Sequence, residues 1–187
     1  MTTAQQLALD LDRIRIVPIP NHEALRGFHC GENSVDDWAA TCWDREKSYR
    51  ARTFCAIEDG AVGALGFYSL SMTGISAKGF GGGAADQFTR DGYIPFIYVD
   101  FIGVSIAHQQ QKLGTLLMVA ALRRCANVVR SVAIYGVALN SLNARTTAFY
   151  KKLNFGVRDR PGMQHPLMVL PVMTLLDAER IAEQQGR

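Results

Sequence analysis

The fold is decided by one stretch of sequence, Val99-Asp-Phe-Ile-Gly-Val-Ser-Ile-Ala-His-Gln-Gln-Gln-Lys-Leu-Gly-Thr115. Its first part belongs to the run Pro95–Ser105, which is nearly continuously apolar and is typical of a central strand covered on both faces. Gly103 within this run indicates a bulge or a close approach by another group. From Leu113 to Val128, apolar residues recur at i, i+3 and i+4 spacing, which predicts a helix of about four turns.

The turn between this strand and this helix is a candidate anion site. The first N–H groups of a helix have no intrahelical partners and lie at the positive end of its dipole, so such a turn can bind a phosphate or diphosphate. Gly114 would allow a ligand to approach the backbone, while Gln109 and Lys112 add a neutral and a charged donor. The pattern by itself is weak, because many helices begin after a turn that contains glycine.

The N-terminal part of the chain predicts three strands and one helix. The alternating segment Arg13–Ile19 is typical of a half-exposed strand. A helix is expected over Asn33–Glu46, with Ser34 as its cap, Asp36 and Asp37 near its positive end, and one apolar face. That face consists of Val35, Trp38, Ala39 and Cys42. Two further strands, Thr53–Ile57 and Gly63–Ser71, are expected to meet at a tight turn over 58–60.

The C-terminal part begins with the glycine-rich segment Gly74–Gly92, which predicts a long mobile loop, either a functional lid or a crossover without a role. The later elements that we predict are a strand over Val132–Leu139, a helix from Asn143 to Lys152 ended by Asn154, strands over Phe155–Arg158 and Leu167–Leu176, and a polar helix or tail over 177–187. This order of elements is that of a mixed α/β protein.

Composition limits the classes of protein that fit. The chain has 187 residues, a length typical of one domain over 1–187, and its 48% apolar content excludes a disordered protein. No apolar run approaches the length of about 18 residues that a membrane-spanning helix needs, and the early residues Asp10 and Asp12 argue against a secretory signal. The four cysteines lack zinc-site spacing, so we expect reduced thiols in a cytoplasmic protein and no metal.

Two segments resemble motifs of the GNAT superfamily of N-acetyltransferases. Gln109–Gly114 resembles the acyl-CoA-binding motif Q/R-x-x-G-x-G/A, with Lys112 in place of the first glycine. Asn143–Phe155 resembles the helix motif N-x-x-A-x-x-F/L-Y-x-x-x-G-F, with Thr146 for Ala and Asn154 for Gly. The lysine leaves two alternatives open: the turn widens and the ammonium contacts phosphate, or the affinity for CoA is lower.

The resemblance implies a GNAT fold, in which a mostly antiparallel sheet of about six or seven strands contains a splayed parallel pair and is flanked by helices. It also implies acetyl-CoA as cofactor, Tyr150 as the general acid for the leaving thiolate, and a backbone N–H near Gly103 or Val104 for the oxyanion. Asp100 is the only carboxylate in the motif region, and no general base is assigned. The cofactor-binding residues implied are Ile102, Gly103, Val104, Gln109, Gln110, Gln111, Lys112, Leu113, Gly114, Thr115, Asn143 and Phe149.

The segments Phe28–Trp38, Arg52–Phe54 and Gly66–Leu70 are similar to a bacterial subgroup of this family that includes the acetyltransferase toxins of toxin–antitoxin pairs. That similarity implies the α-amine of aminoacyl-tRNA as acceptor, a ribbon-helix-helix antitoxin as partner, and a homodimer in the cytoplasm. Two alternatives stay open: the fold acetylates a small-molecule amine or a protein, or it is a non-catalytic module that binds CoA or a partner.

RNA binding would depend on basic residues after the first predicted helix, of which Arg45, Arg50 and Arg52 are the expected substrate-binding residues. A solvated helix face is an equally good interpretation of such a cluster. Cys30 has no base or oxyanion site beside it in the sequence, so we interpret it as a packing residue.

Overall fold

The computed structural model describes residues 9–60, 63–78, 80, 84–89, 91–158 and 165–185. The strands are β1 (Ile14–Pro18), β2 (Arg52–Glu58), β3 (Gly66–Ser76), β4 (Tyr93–Val104), β5 (Gly136–Asn140), β6 (Gly156–Arg158) and β7 (Leu167–Pro171). The helices are α1 (Asn33–Lys47), α2 (Ala84–Phe88), α3 (Leu113–Val129), α4 (Ala144–Lys151) and α5 (Val172–Gln185).

The strands form one seven-stranded sheet in the order β1-β2-β3-β4-β5-β7-β6. β4 and β5 are paired in parallel, whereas β1 with β2, β5 with β7 and β6 with β7 are antiparallel. The predicted mixed α/β class, with a mostly antiparallel sheet and one parallel pair, is confirmed.

The chain divides into two compact units. Unit 1 comprises Met1–Ser69 and Phe101–Ala120, and unit 2 comprises Leu70–Asp100 and Ala121–Arg187. β3, β4 and α3 each contribute residues to both units. This division is not visible in the sequence, which predicts one domain over residues 1–187.

In unit 1 the predicted apolar face of α1 is buried together with Ile19, Leu25 and Phe67. Phe101 stacks on Trp38 with ring centroids 4.6 Å apart. A Cβ atom on Gly103 would lie 2.8 Å from Val35 Cγ1, so the predicted close approach at this glycine is confirmed. Ser34 is not the cap of α1: it lies inside the helix, because α1 starts at Asn33 and Glu32 takes the cap position.

The core of unit 2 corrects part of the loop predicted over Gly74–Gly92. β3 continues through Ser76, and Phe80 is only 7% exposed because it packs against Phe96 and Tyr135. The short helix α2 places Phe88 against the same tyrosine ring. Gly81, Gly82 and Gly83 lie outside the described residues, and a lid function for the segment stays a prediction.

Three predicted strand boundaries were wrong. β3 begins at Gly66 rather than Gly63, so the connection from β2 spans 59–65 and is longer than a tight turn. β5 begins at Gly136, because Val132 is exposed and belongs to the preceding connection. The apolar run Leu167–Leu176 contains the end of one element and the start of another, since β7 ends at Pro171 and α5 follows.

The helices of the two motifs match the predictions closely. α3 spans Leu113–Val129, and Leu113, Leu117 and Cys125 are buried as expected. α4 is followed by Asn154 in the left-handed conformation with φ 65°. In the part of the chain that the structure describes, no helix is long and apolar enough to cross a membrane.

Candidate active site

Residues 105–112, which we call the entry turn, join β4 to α3 within unit 1. The segment starts with a 3₁₀ turn over Ile106–His108. Gln110 and Lys112 then adopt the left-handed conformation, with φ 63° and 65°. Left-handed residues interleaved with right-handed or extended ones turn successive backbone N–H groups into a concave, anion-binding arrangement. The backbone of the entry turn therefore has the form of an anion site.

Five consecutive N–H groups, at the end of the entry turn and the start of α3, are available to a ligand. Among the described residues, the amides of residues 110–114 have no hydrogen-bond acceptor. The first intrahelical bonds of α3 come from Thr115 and Leu116, which donate to the Lys112 carbonyl over 3.0 and 3.1 Å. Free donors at the positive end of a helix stabilise a phosphate group. The entry turn therefore fits the diphosphate of a coenzyme.

The side chains of Gln109 and Gln111 hold the entry turn instead of pointing to a ligand. Gln109 Nε2 donates to the carbonyl oxygens of Cys30 and Val104 over 2.7 and 3.1 Å, which uses both of its hydrogens. Gln111 Oε1 accepts from the Leu9 amide over 2.7 Å. The prediction that the Gln109 side chain is a phosphate donor is therefore corrected: this side chain fixes the backbone whose amides are free.

At Lys112 and Gly114, the space beside the backbone is open to a ligand. Lys112 is exposed, and its ammonium has no ion-pair partner within the described residues. A Cβ atom on Gly114 would meet only Val104 Cγ2, at the ordinary contact distance of 3.7 Å. No atom of the described residues therefore requires glycine at position 114, and the absent side chain leaves space beside the backbone.

The backbone N–H group of Val104, unlike that of Gly103, is directed away from β3. The Ser105 amide donates to the Leu65 carbonyl over 2.9 Å, on the β3 side of the strand. Because successive amides in a strand point to opposite edges, the N–H of Val104 points to the other edge. Its carbonyl oxygen accepts a hydrogen bond from the Gln109 side chain. Of the two N–H groups that the resemblance implies for the oxyanion, that of Val104 therefore points away from β3.

In unit 2 the parallel strands separate after a short paired segment. The register runs from Phe96–Gly136 to Tyr98–Ala138 and then stops, although β5 continues to Asn140. Leu139 and Asn140 keep their antiparallel partners on β7. The end of β5 therefore has one paired edge and leaves the other without β4. This is the splay that the sequence motifs imply.

Asn143 begins the helix that carries the second motif. Its Oδ1 accepts from the Thr146 amide, and Thr146 Oγ1 accepts from the Asn143 amide, both over 3.0 Å. This reciprocal capping box satisfies two N–H groups that the helix otherwise leaves free. The departure from the motif at Thr146 thus has a structural effect, since alanine cannot accept the second bond.

Tyr150 is 6% exposed and packs between Phe149 and Phe155, with ring centroids 5.2 and 5.9 Å away. Burial raises the pKa of Tyr150 to about 12. Its hydroxyl makes no hydrogen bond within the described part of the chain. Tyr150 therefore has a buried, packed ring, and its hydroxyl keeps its proton at neutral pH.

An open groove of about 550 Å³ runs along the other side of α4. Its lining residues are Leu142, Asn143, Ala144, Thr147, Ala148, Lys151 and Pro166. It is lined mainly by small and apolar side chains, with the Lys151 ammonium as its only formal charge among them.

The three predicted substrate-binding arginines differ in their partners. The Arg52 guanidinium lies 2.6 Å from Glu46 Oε1 and 4.5 Å from the centre of the Tyr49 ring. The Arg45 guanidinium lies over the Trp38 ring at 4.5 Å. Within the described residues, the Arg50 guanidinium donates only to the neutral Ser48 hydroxyl, over 2.9 Å. Arg50 therefore has the charge that is most available to a phosphate.

Two carboxylates that the sequence did not assign have defined partners. Ser71 Oγ donates to Asp100 Oδ1 over 2.9 Å. Asp36 accepts from the Cys30 amide, a contact between α1 and the segment before it that no spacing rule indicates. Cys30 itself is half-buried, and burial raises its pKa to about 11, so it is not a thiolate at neutral pH.

Residues 21–155 match the Acetyltransferase (GNAT) family. The chain belongs to the GNAT acetyltransferase family. The GNAT chain is thus an acyltransferase that uses acetyl-CoA, and the predicted enzyme class and cofactor are confirmed.

One relative of this GNAT chain is a tRNA-acetylating toxin of Mycobacterium tuberculosis, 26% identical over 140 residues, which cover 74% of this chain and 82% of the toxin. A mutant of KacT has a TM-score of 0.78 at 19% identity, covering 89% of this chain and 99% of that one. AtaT complexed with acetyl-methionyl-tRNAfMet has a TM-score of 0.76 at 18% identity, with coverages of 89% and 99%. At these identities, the solved structures establish the GNAT fold alone.

Proposed function

We propose that this GNAT enzyme transfers the acetyl group of acetyl-CoA to the α-amine of an aminoacyl-tRNA, and that it acts as a toxin that blocks translation. The observation that carries the choice of acceptor is the match to a tRNA-acetylating toxin across most of both chains. The structural similarity to AtaT in complex with an acetylated aminoacyl-tRNA supports it. Because charged tRNA is found in the cytoplasm, we place the activity there.

Binding of the donor is assigned to the entry turn. When bound, acetyl-CoA supplies an acyl thioester. The amides of residues 110–114 donate to its diphosphate, and the Lys112 ammonium adds a positive charge at the same turn. The backbone of Ile102, Gly103 and Val104 and that of Thr115 extend this surface. In unit 2, Asn143 and Phe149 are the other residues that the family resemblance implies for the cofactor.

Two groups of the chain are assigned to the chemistry. The Val104 N–H stabilises the negative charge that develops on the acyl oxygen. The Tyr150 hydroxyl donates its proton to the departing sulfur. The pKa of about 12 keeps this proton on Tyr150 before the sulfur leaves. An α-amine, with a pKa of about 7.7, is partly neutral at physiological pH, so we assign no general base.

The acceptor surface is assigned to the end of α1 and the connection to β2. Arg50 binds a phosphate directly. The ion pair between Arg52 and Glu46 has no net charge, so Arg52 attracts a phosphate less strongly. The Arg45 guanidinium makes a cation–π interaction with the Trp38 ring. We further propose a homodimer and a ribbon-helix-helix antitoxin as partner, as the similarity to the toxin subgroup implies.

The experiment that tests this function is transfer of labelled acetyl from acetyl-CoA to a pool of charged tRNAs, with free polyamines and uncharged tRNA in parallel. We expect label on charged tRNA alone, and a rate that falls steeply with salt because phosphates are contacted. Label on polyamines would support the small-amine alternative. Acetyl-CoA binding without any transfer would support the non-catalytic alternative.

A further inference from the structure

His29 and Cys30 are neighbouring residues that hold the entry turn in place, and we call this pair the bridge. Their carbonyl oxygens both accept hydrogen bonds from the turn. The Ile106 amide donates to His29 over 3.0 Å, and Gln109 Nε2 donates to Cys30 over 2.7 Å. These contacts lie at the first residue of the 3₁₀ turn and at the residue that follows the turn, just before the free amides. The position of residues 106–109 therefore depends on where the bridge is held.

One side chain, Asp36 of α1, holds both residues of the bridge. Asp36 Oδ1 accepts from the Cys30 amide over 2.8 Å, and Asp36 Oδ2 lies 2.6 Å from His29 Nδ1. The Asp36 side chain is only 17% exposed. Burial by itself would raise the pKa of Asp36, but the hydrogen bonds from Cys30 and His29 outweigh it and lower the pKa below its ordinary value. The carboxylate is therefore ionised at neutral pH.

The next residue fits the entry turn closely. Gly31 has φ 87°, a conformation that side chains rarely adopt. A Cβ atom there would lie 3.3 Å from Ile106 Cδ1. A side chain at this position would therefore crowd Ile106, so the chain next to the bridge passes close to the entry turn.

We propose that Asp36 is a positioning residue for acetyl-CoA. The proposal rests on the diphosphate-binding role that we assigned to the entry turn. Asp36 acts through the bridge: it fixes His29 and Cys30, their carbonyls fix Ile106 and Gln109, and these fix the amides of residues 110–114. Loss of the carboxylate frees the bridge and disperses the directions of those amides. The effect falls on acetyl-CoA affinity and KM, and only weakly on kcat at saturating donor.

Asp37 provides a matched control for the general effects of charge. It is the next residue of α1 after Asp36, and within the described residues its carboxylate has no hydrogen-bond or ion-pair partner. Both aspartates interact with the positive end of the helix dipole, but only Asp36 contacts the bridge. A change in helix stability alone would therefore affect variants at both positions.

The test compares Asp36→Ala, Asp36→Asn and Asp37→Ala by calorimetric titration with acetyl-CoA and by steady-state kinetics with charged tRNA. We expect Asp36→Ala to weaken acetyl-CoA binding about tenfold, the size of one lost charged hydrogen bond, with kcat within about twofold. Asp36→Asn should lose less, because its Oδ1 still accepts from Cys30, and Asp37→Ala should match wild type. Wild-type affinity in Asp36→Ala would overturn the proposal.

A double-mutant cycle with Gln109→Met separates positioning from a general loss of stability. Because Asp36 and Gln109 act on the same residue, Cys30, we expect the double variant to bind acetyl-CoA about as weakly as the weaker single variant. Additive losses would overturn the proposal. If Asp36→Ala does not fold, unchanged affinity in both Asp36→Asn and Gln109→Met would overturn it. A wild-type protein that fails to bind acetyl-CoA would instead contradict the proposed function.

Discussion

Gln109 and Cys30 are 79 positions apart in sequence, and the Gln109 side-chain amide donates to the Cys30 carbonyl over 2.7 Å. This bond joins the two segments that the sequence presents as separate motifs, the acyl-CoA-binding stretch and the stretch Phe28–Trp38. In the structure they form one assembly, in which the N-terminal segment supports the backbone of the entry turn. The residues to which we assign ligand contacts are thus different from the residues that hold the turn in place.

We expect Gly114→Ala to stabilise the protein and weaken acetyl-CoA binding. The new Cβ meets only Val104 Cγ2 at 3.7 Å, and alanine is favoured over glycine in a helix by about 0.5–1 kcal/mol. The same atom occupies the space that we assign to the diphosphate. Thermal unfolding and acetyl-CoA titration of one preparation measure both effects. An alanine variant that binds as tightly as wild type would show that no ligand uses this space.

We expect Lys112→Gly to raise the free energy of unfolding by about 1 kcal/mol, since Lys112 has φ 65° and left-handed backbone strains residues with a side chain. Removal of the ammonium should weaken acetyl-CoA binding and reduce its salt dependence. Lys112→Asn is the matched control, because it removes the charge but tolerates the conformation. Unaltered titrations for both variants would make Lys112 a bystander.

We expect Tyr150→Phe to lower kcat by about 10²–10⁴-fold while acetyl-CoA affinity is retained, because only the proton donor is removed. The Tyr150 ring packs against Phe149 and Phe155, so phenylalanine keeps these contacts. Tyr135→Phe, in another aromatic cluster of unit 2, is the control and should keep wild-type turnover. Equal turnover in the Tyr150 variant would remove the general-acid role.

We expect Arg50→Glu to raise KM for charged tRNA about tenfold at low salt, with unchanged KM for acetyl-CoA, because Arg50 has no acidic partner among the described residues. Arg180→Glu, on α5, reverses an equal charge at a surface that we assign no role. A loss of the same size in both variants would indicate a long-range effect of net charge rather than a contact.

The sequence was sufficient for the elements that carry the two motifs, because α3 and β4 have strong apolar patterns and Asn154 marks the end of α4. It failed for Leu167–Leu176, since a short apolar run fits a strand and a helix equally well. It also failed at Ser76 and Phe80, whose strand and core contacts come from partners far along the chain.

The candidate site was predictable in its location but not in its construction. The motif indicates that amides near Gly114 are free, and the structure agrees. No pattern indicates that the Gln109 side chain points inward, or that Asp36 reaches back to Cys30, because both contacts depend on tertiary packing. The N-terminal acidic residue was interpretable from the sequence only as a partner of the helix dipole.

Diphosphate binding by the entry turn is tested most directly by nuclear magnetic resonance of the ¹⁵N-labelled protein. The backbone amide resonances are followed during titration with acetyl-CoA and, separately, with pantetheine, which lacks the diphosphate. We expect acetyl-CoA to shift the amide resonances of residues 110–114 and pantetheine to leave them unchanged. Saturable acetyl-CoA binding that leaves these five amides unmoved would contradict diphosphate binding by the entry turn.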